Sequence, residues 1–153
     1  MNLKGFIEGL AKEKYLVYFL LAWAGVLFFW ALSNIVGEAT NLKYAYNGIY
    51  LFSDLFELGQ GAILALLSVK LLSANFMANL KKEVLVAYFL LLWAGSFFFG
   101  AIGDIAYDAQ WGIKNASDGI GILGTISSFI AGVVLALVGW KLLQAKDQPA
   151  NQP

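Results

Sequence analysis

The sequence predicts an all-α integral membrane protein. Its four transmembrane helices form two tandem parallel-repeat hairpins, each preceded by a short interfacial amphipathic helix. Three observations carry this expectation: long uncharged stretches, a one-sided distribution of lysine, and an internal duplication. Of the 153 residues, 60% are hydrophobic and 13% are charged, against about 25% charged in a soluble domain.

A spanning helix needs about 20 mainly apolar residues to cross about 30 Å of hydrocarbon. No charged residue lies between Lys14 and Glu38, between Glu83 and Asp104, or between Asp118 and Lys141. These stretches place the first span near 15–35, the third near 84–103 and the fourth near 120–140. The second, near 49–69, is as apolar but carries Asp54 and Glu57. The outer connections are about a dozen residues, which leaves no room for a soluble domain. The polar tail 146–153 holds both prolines and reads as disordered.

Lysine sets the expected topology. Lys4, Lys12 and Lys14 precede the first span, Lys70, Lys81 and Lys82 lie between the second and third, and Lys141 and Lys146 follow the fourth. Only Lys43 and Lys114 fall in the other two loops. The positive-inside rule then puts both termini in the cytoplasm of a multi-pass protein of the cell (inner) membrane. The first span reads as an uncleaved helix, since it is too long for a signal peptide and three more spans follow. Tyr15, Tyr18, Tyr88 and Trp140 fall near the inner interface, and Trp30, Tyr44, Tyr46, Tyr50, Tyr107 and Trp111 near the outer one, where amphipathic rings prefer to sit.

The duplication is the strongest feature of the chain. Residues 13–35 and 83–105 align without a gap, with 12 identities in 23 positions, including Tyr18/Tyr88, Trp23/Trp93, Gly25/Gly95 and Phe28/Phe98. Residues 46–74 and 117–145 share 10 of 29, including Gly48/Gly119, Gly61/Gly132, Ala65/Ala136 and Lys70/Lys141. Upstream, 5–15 matches 75–85 at Phe6/Phe76, Leu10/Leu80 and Lys12/Lys82. Leu3, Phe6, Ile7 and Leu10 have the spacing of an amphipathic helix that lies in the inner interface. Repeat one therefore covers about 5–74 and repeat two about 75–145 of a single membrane domain. Both hairpins enter from the same side, so their pseudo-twofold axis runs along the membrane normal.

At 100° per residue, Asp54, Glu57, Gly61, Ala65 and Ser68 share one stripe of the second helix. Thr125, Ser128, Gly132, Ala136 and Gly139 form the matching stripe on the fourth. Gly61, Ala65, Gly132 and Ala136 allow close helix approach in lipid. Asp54 lies about 24 Å above Lys70 at 1.5 Å per residue, in the outer part of the hydrocarbon. An unpartnered charge there costs at least about 2.5 kcal/mol. Asp104 and Asp108, one turn apart at the outer end of the third span, add charge nearby, with Glu38 and Asp118. Two readings fit the candidates Asp54, Glu57, Thr125, Ser128, Asp104 and Asp108. They form a cation or proton site with an acidic mouth, or they are polar contacts that fix helix register, with Asp54 and Glu57 in a favourable helix N-terminal turn and Asp104 and Asp108 in an ordinary solvated loop.

Composition narrows the chemistry. The chain lacks Arg, His and Cys, so thiol nucleophiles, Ser-His triads, and His- or Cys-based haem, Fe–S and zinc sites are excluded. No catalytic residue, metal or cofactor is expected, and zero net charge argues against nucleic acid. Gly119, Gly121 and Gly124 spell a dinucleotide fingerprint, but it opens a membrane helix with no strand before it. The paired Trp-Ala-Gly triplets at 23–25 and 93–95 read as helix packing. The expected function is a non-enzymatic accessory or structural subunit in the lipid bilayer, packed in a larger membrane complex or self-associated. The alternative is a small cation or proton transporter or channel using Asp54 and Glu57.

Overall fold

The computed structural model describes residues 14–73, 81–112 and 116–147. All of its regular structure is helical: α1 (Lys14–Thr40), α2 (Ala45–Leu72), α3 (Lys82–Trp111) and α4 (Ala116–Asp147). All four are long and apolar enough to cross a membrane. Lipid offers no partner to a backbone N–H or C=O, so a crossing segment must satisfy its own hydrogen bonds, as a helix does. The amphipathic segments expected ahead of each hairpin fall largely on residues 1–13 and 74–80, outside the described residues, as does the tail beyond Asp147.

Each helix runs past the expected hydrocarbon limits, because 27 to 32 residues at about 1.5 Å per residue reach through both headgroup layers. The connection between α1 and α2, expected as an outer loop of about a dozen residues, accordingly shrinks to Asn41–Tyr44. Its fold comes from short polar side chains that replace missing helical partners. Thr40 Oγ1 and Asn41 Nδ2 donate to the Gly37 carbonyl at 2.7 and 3.1 Å. Asn47, in the first turn of α2, reaches back to the Asn41 carbonyl at 2.6 Å. Before the connection to α4, α3 stops at Gly112, whose φ of +75° is strained for other residues. Its N–H donates to the Asp108 carbonyl at 2.8 Å.

The helices pack in chain order. Among the described residues α1 meets α2, α2 meets α3 and α3 meets α4, with no contact between α1 and α4, α1 and α3, or α2 and α4. The bundle is therefore an open row in which α2 is the most enclosed helix and α4 the least. The α1–α2 seam consists of Val17, Ala24 and Ala31 against Asp54, Gly61 and Ser68, all buried and seven residues apart. The α3–α4 seam uses the aligned positions Ala87, Ala94 and Ala101 against Thr125, Gly132 and Gly139. Seven-residue spacing keeps one face of each helix on its neighbour.

Glycine makes these approaches possible. A Cβ on Gly61 would meet the Ala24 carbonyl and the Phe28 nitrogen at 3.0 Å, and one on Gly132 would meet the Ala94 carbonyl at 3.1 Å. Ala65 and Ala136 flank these crossings and are partly exposed. The α2–α3 interface is built differently, with rings seated on glycine. Phe56 covers Gly95 and Tyr50 covers Gly103. Phe56 also stacks on Phe99 with centroids 5.5 Å apart.

Candidate functional site: polar contacts between neighbouring helices

The candidate residues lie in the half of the row nearer the Asn41–Tyr44 connection, where polar contacts join each helix to the next. Asp54 is 7% exposed on the α1-facing side of α2. It accepts a hydrogen bond at 3.3 Å from Nδ2 of Asn34 on α1. Glu57 lies 60° around the helix, since three residues at 100° make 300°. Because α2 is held between two helices, that rotation turns Glu57 towards α3, where Ser96 Oγ donates to its Oε1 at 3.2 Å. The two acids expected on one buried face thus serve two different interfaces.

Around Glu57, Ser53 Oγ donates to the Ser96 carbonyl at 2.9 Å and lies 3.4 Å from Ser96 Oγ. Gln60, 3% exposed, donates to the Leu92 carbonyl at 3.5 Å. Asp104 on α3 joins two neighbours at once. Its Oδ1 accepts from Tyr50 Oη of α2 at 2.6 Å, and its Oδ2 from Thr125 Oγ1 of α4 at 3.1 Å. Thr125 Oγ1 also lies within bonding distance of the Gly121 carbonyl, at 3.2 Å.

The structure brings Thr125 and Asp104 together, but not Ser128 with Asp54 or Glu57. Ser128 is half-buried on α4, which does not touch α2. Asp108 lines an apolar cavity of about 380 Å³ between α3 and α4, with Ile105, Ile122, Thr125, Ile126, Phe129 and Ile130. A second apolar cavity, about 360 Å³, follows the same interface inward past Gly95, Phe98 and Gly132.

Sequence reasoning missed Asn34, Tyr50, Ser53, Gln60 and Ser96 as contact residues. A signal was present. Ser53, Phe56, Glu57 and Gln60 form a second face of α2, about 90° from the small-residue stripe at 100° per residue. Gly95, Ser96 and Gly103 offer small surfaces on α3. Among the described residues every buried side-chain nitrogen and oxygen has a hydrogen-bond partner, and no cluster of three or more carboxylates could hold a metal ion. What this arrangement does chemically is tie helices together, each neutral donor satisfying an acceptor that lipid would leave bare. A scan of protein-family models, a search of curated proteins and a search of solved structures each return no match.

Proposed function

We propose that this chain is a non-enzymatic structural subunit of a membrane assembly, a multi-pass protein of the cell membrane with both termini in the cytoplasm. The open row carries the reading. With one neighbour each, α1 and α4 leave most of their surface for other membrane helices. Part of that surface is ill suited to lipid, since α4 exposes Gly121, Gly124 and Ser127 beside aliphatic Leu123, Ile126 and Ile130. The polar contacts between helices support the same role, because such bonds fix register in a solvent that gives helices little hydrophobic reason to associate.

A second reading, a small proton or cation transporter, draws on Asp54 and Glu57, two carboxylates within one membrane-spanning helix. Neutral donors from adjacent helices already engage both, which favours the structural role. Purification in mild detergent with a native mass measurement tests the proposal. A species heavier than one 16.7 kDa chain plus its detergent is expected. A strictly monomeric, partner-free protein would overturn it.

A further inference from the structure

The two hairpins repeat their internal crossing residue for residue. Gly61 sits on the backbone of Ala24 and Phe28, and Gly132 on that of Ala94 and Phe98. These are aligned positions, offset by 70 residues on α1/α3 and by 71 on α2/α4. The same offsets transfer the α2–α3 interface onto α4 and α1. The α2 residues Tyr50, Ser53, Phe56 and Glu57 correspond to Gly121, Gly124, Ser127 and Ser128 of α4. The α3 residues Gly95, Ser96, Gly100 and Gly103 correspond to Gly25, Val26, Trp30 and Ser33 of α1. In α2 and α3 these faces cover one another. In α4 and α1 they are uncovered: a Cβ on Gly25, Gly121 or Gly124 would meet nothing within 4 Å, and Trp30 is 63% exposed.

We infer that α1 of a second copy docks on α4 of the first, antiparallel to it, repeating between chains the α2–α3 packing within one. The inference rests on the subunit reading above and names its partner.

Size complementarity supports a second copy as occupant. Within the chain, α2 supplies the rings Tyr50 and Phe56, and α3 supplies the hollows at Gly103 and Gly95. On the vacant faces the roles are exchanged. The α4 positions carry no ring, whereas α1 presents Val26 and Trp30 where α3 has Ser96 and Gly100. Gly100 faces Ser53, so the matching contact sets Trp30 over Gly124. Each uncovered glycine otherwise costs the helix about 1 kcal/mol relative to alanine with no intrachain contact in return. The rest of the exposed α4 surface is bulky, with Ile126, Val134 and Leu137 each more than half exposed, as a lipid-facing surface requires. An α1-on-α4 contact joins unlike surfaces, so it is heterologous, and repeated copies close into a ring or extend as a row.

The absence of cysteine makes the test clean. The Oγ atoms of Ser53 and Ser96 lie 3.4 Å apart, so their aligned positions, Gly124 and Val26, are placed for a disulfide. Two differently tagged full-length chains, one Val26→Cys and the other Gly124→Cys, are co-expressed and oxidised in native membranes. Neither position has a buried contact to lose. The expected result is a shift from monomer to a heterodimer carrying both tags, absent from a control pair Leu32→Cys and Ile126→Cys, since Ile126 lies 160° around α4 from Gly124 and corresponds to the exposed Leu55. Failure to trap the heterodimer, or trapping only same-tag dimers, would overturn the inference. If the chains then still migrate as a species larger than a monomer in mild detergent, the subunit reading survives with another partner or another contact between copies. If they migrate as monomers, both fall.

Discussion

Asp54 and Asp104 meet the same physical problem from opposite sides of their hairpins. Asp54 lies on the second helix of its pair and takes its hydrogen bond from Asn34 on the first. Asp104 lies on the first helix of its pair and takes one from Thr125 on the second. Asn34 aligns with Asp104, and Asp54 with Thr125, so each hairpin keeps one carboxylate and one neutral donor with their positions exchanged. One carboxylate per level avoids like-charge repulsion, and a donor on the facing helix offsets part of the desolvation cost. An exchange made by mutation should then be tolerated. Asn34→Asp alone sets two carboxylates against each other and should destabilise the protein by about 1–3 kcal/mol. Adding Asp54→Asn to it should return most of that loss, a coupling that a double-mutant cycle in denaturant-titrated micelles would measure. Additive effects of the two substitutions would mean that the contact contributes nothing. The single variant Asp54→Asn also separates the two functional readings, since a subunit keeps its assembly while a transporter relying on Asp54 loses flux in proteoliposomes.

At the scale of the helix, the small-residue stripes were legible in the sequence and the central interface was not. Gly61 and Gly132 stand out because they align between the halves and fall on one helical face with Asp54 and Thr125. The α2–α3 contact has no such echo, because Tyr50 and Phe56 pair with Gly121 and Ser127, and Ser96 with Val26. A contact made once, between helices whose relatives face elsewhere, leaves no repeat to find. Periodicity also fixed the azimuth of Glu57 without saying that α2 would have neighbours on two sides, so its turn towards α3 became visible only with the packing. The two glycine types should respond differently to substitution. A Cβ on Gly61 meets backbone at 3.0 Å, and backbone cannot swing aside. Gly61→Leu should therefore force α1 and α2 apart, at the 1–3 kcal/mol or more of about one overpacked site. Gly25→Leu, where nothing lies within 4 Å, should leave the stability of a single chain unchanged. Thermal or denaturant melting in detergent checks both, and equal losses would show that the α1–α2 crossing is looser than its geometry.

The molecule as a whole couples charge to position. Zero net charge conceals a separation, with most lysines at the Lys14, Leu72 and Lys141 ends of the spans and Glu38, Asp104 and Asp108 at the opposite ends. Lysine near a span resists translocation while acidic residues have little influence, so the topology proposed above keeps the lysine-rich side in the cytoplasm. In that proposed topology the short connection Asn41–Tyr44 reaches the outer surface between two helices, and Ser73, next to Lys70, faces the cytoplasm. Because the chain has no cysteine of its own, a single introduced thiol reports on one place. Leu42, more than half exposed in the tight turn, and Ser73, exposed at the end of α2, can each be replaced with cysteine without opening a seam. A membrane-impermeant maleimide should label Leu42→Cys in intact cells and Ser73→Cys only after the membrane is broken. The reverse pattern would invert the whole row and move the acidic helix ends to the cytoplasm. Labelling of both in intact cells would show that the chain inserts in two orientations, and the head-to-tail contact between copies would then have to form within each oriented population separately.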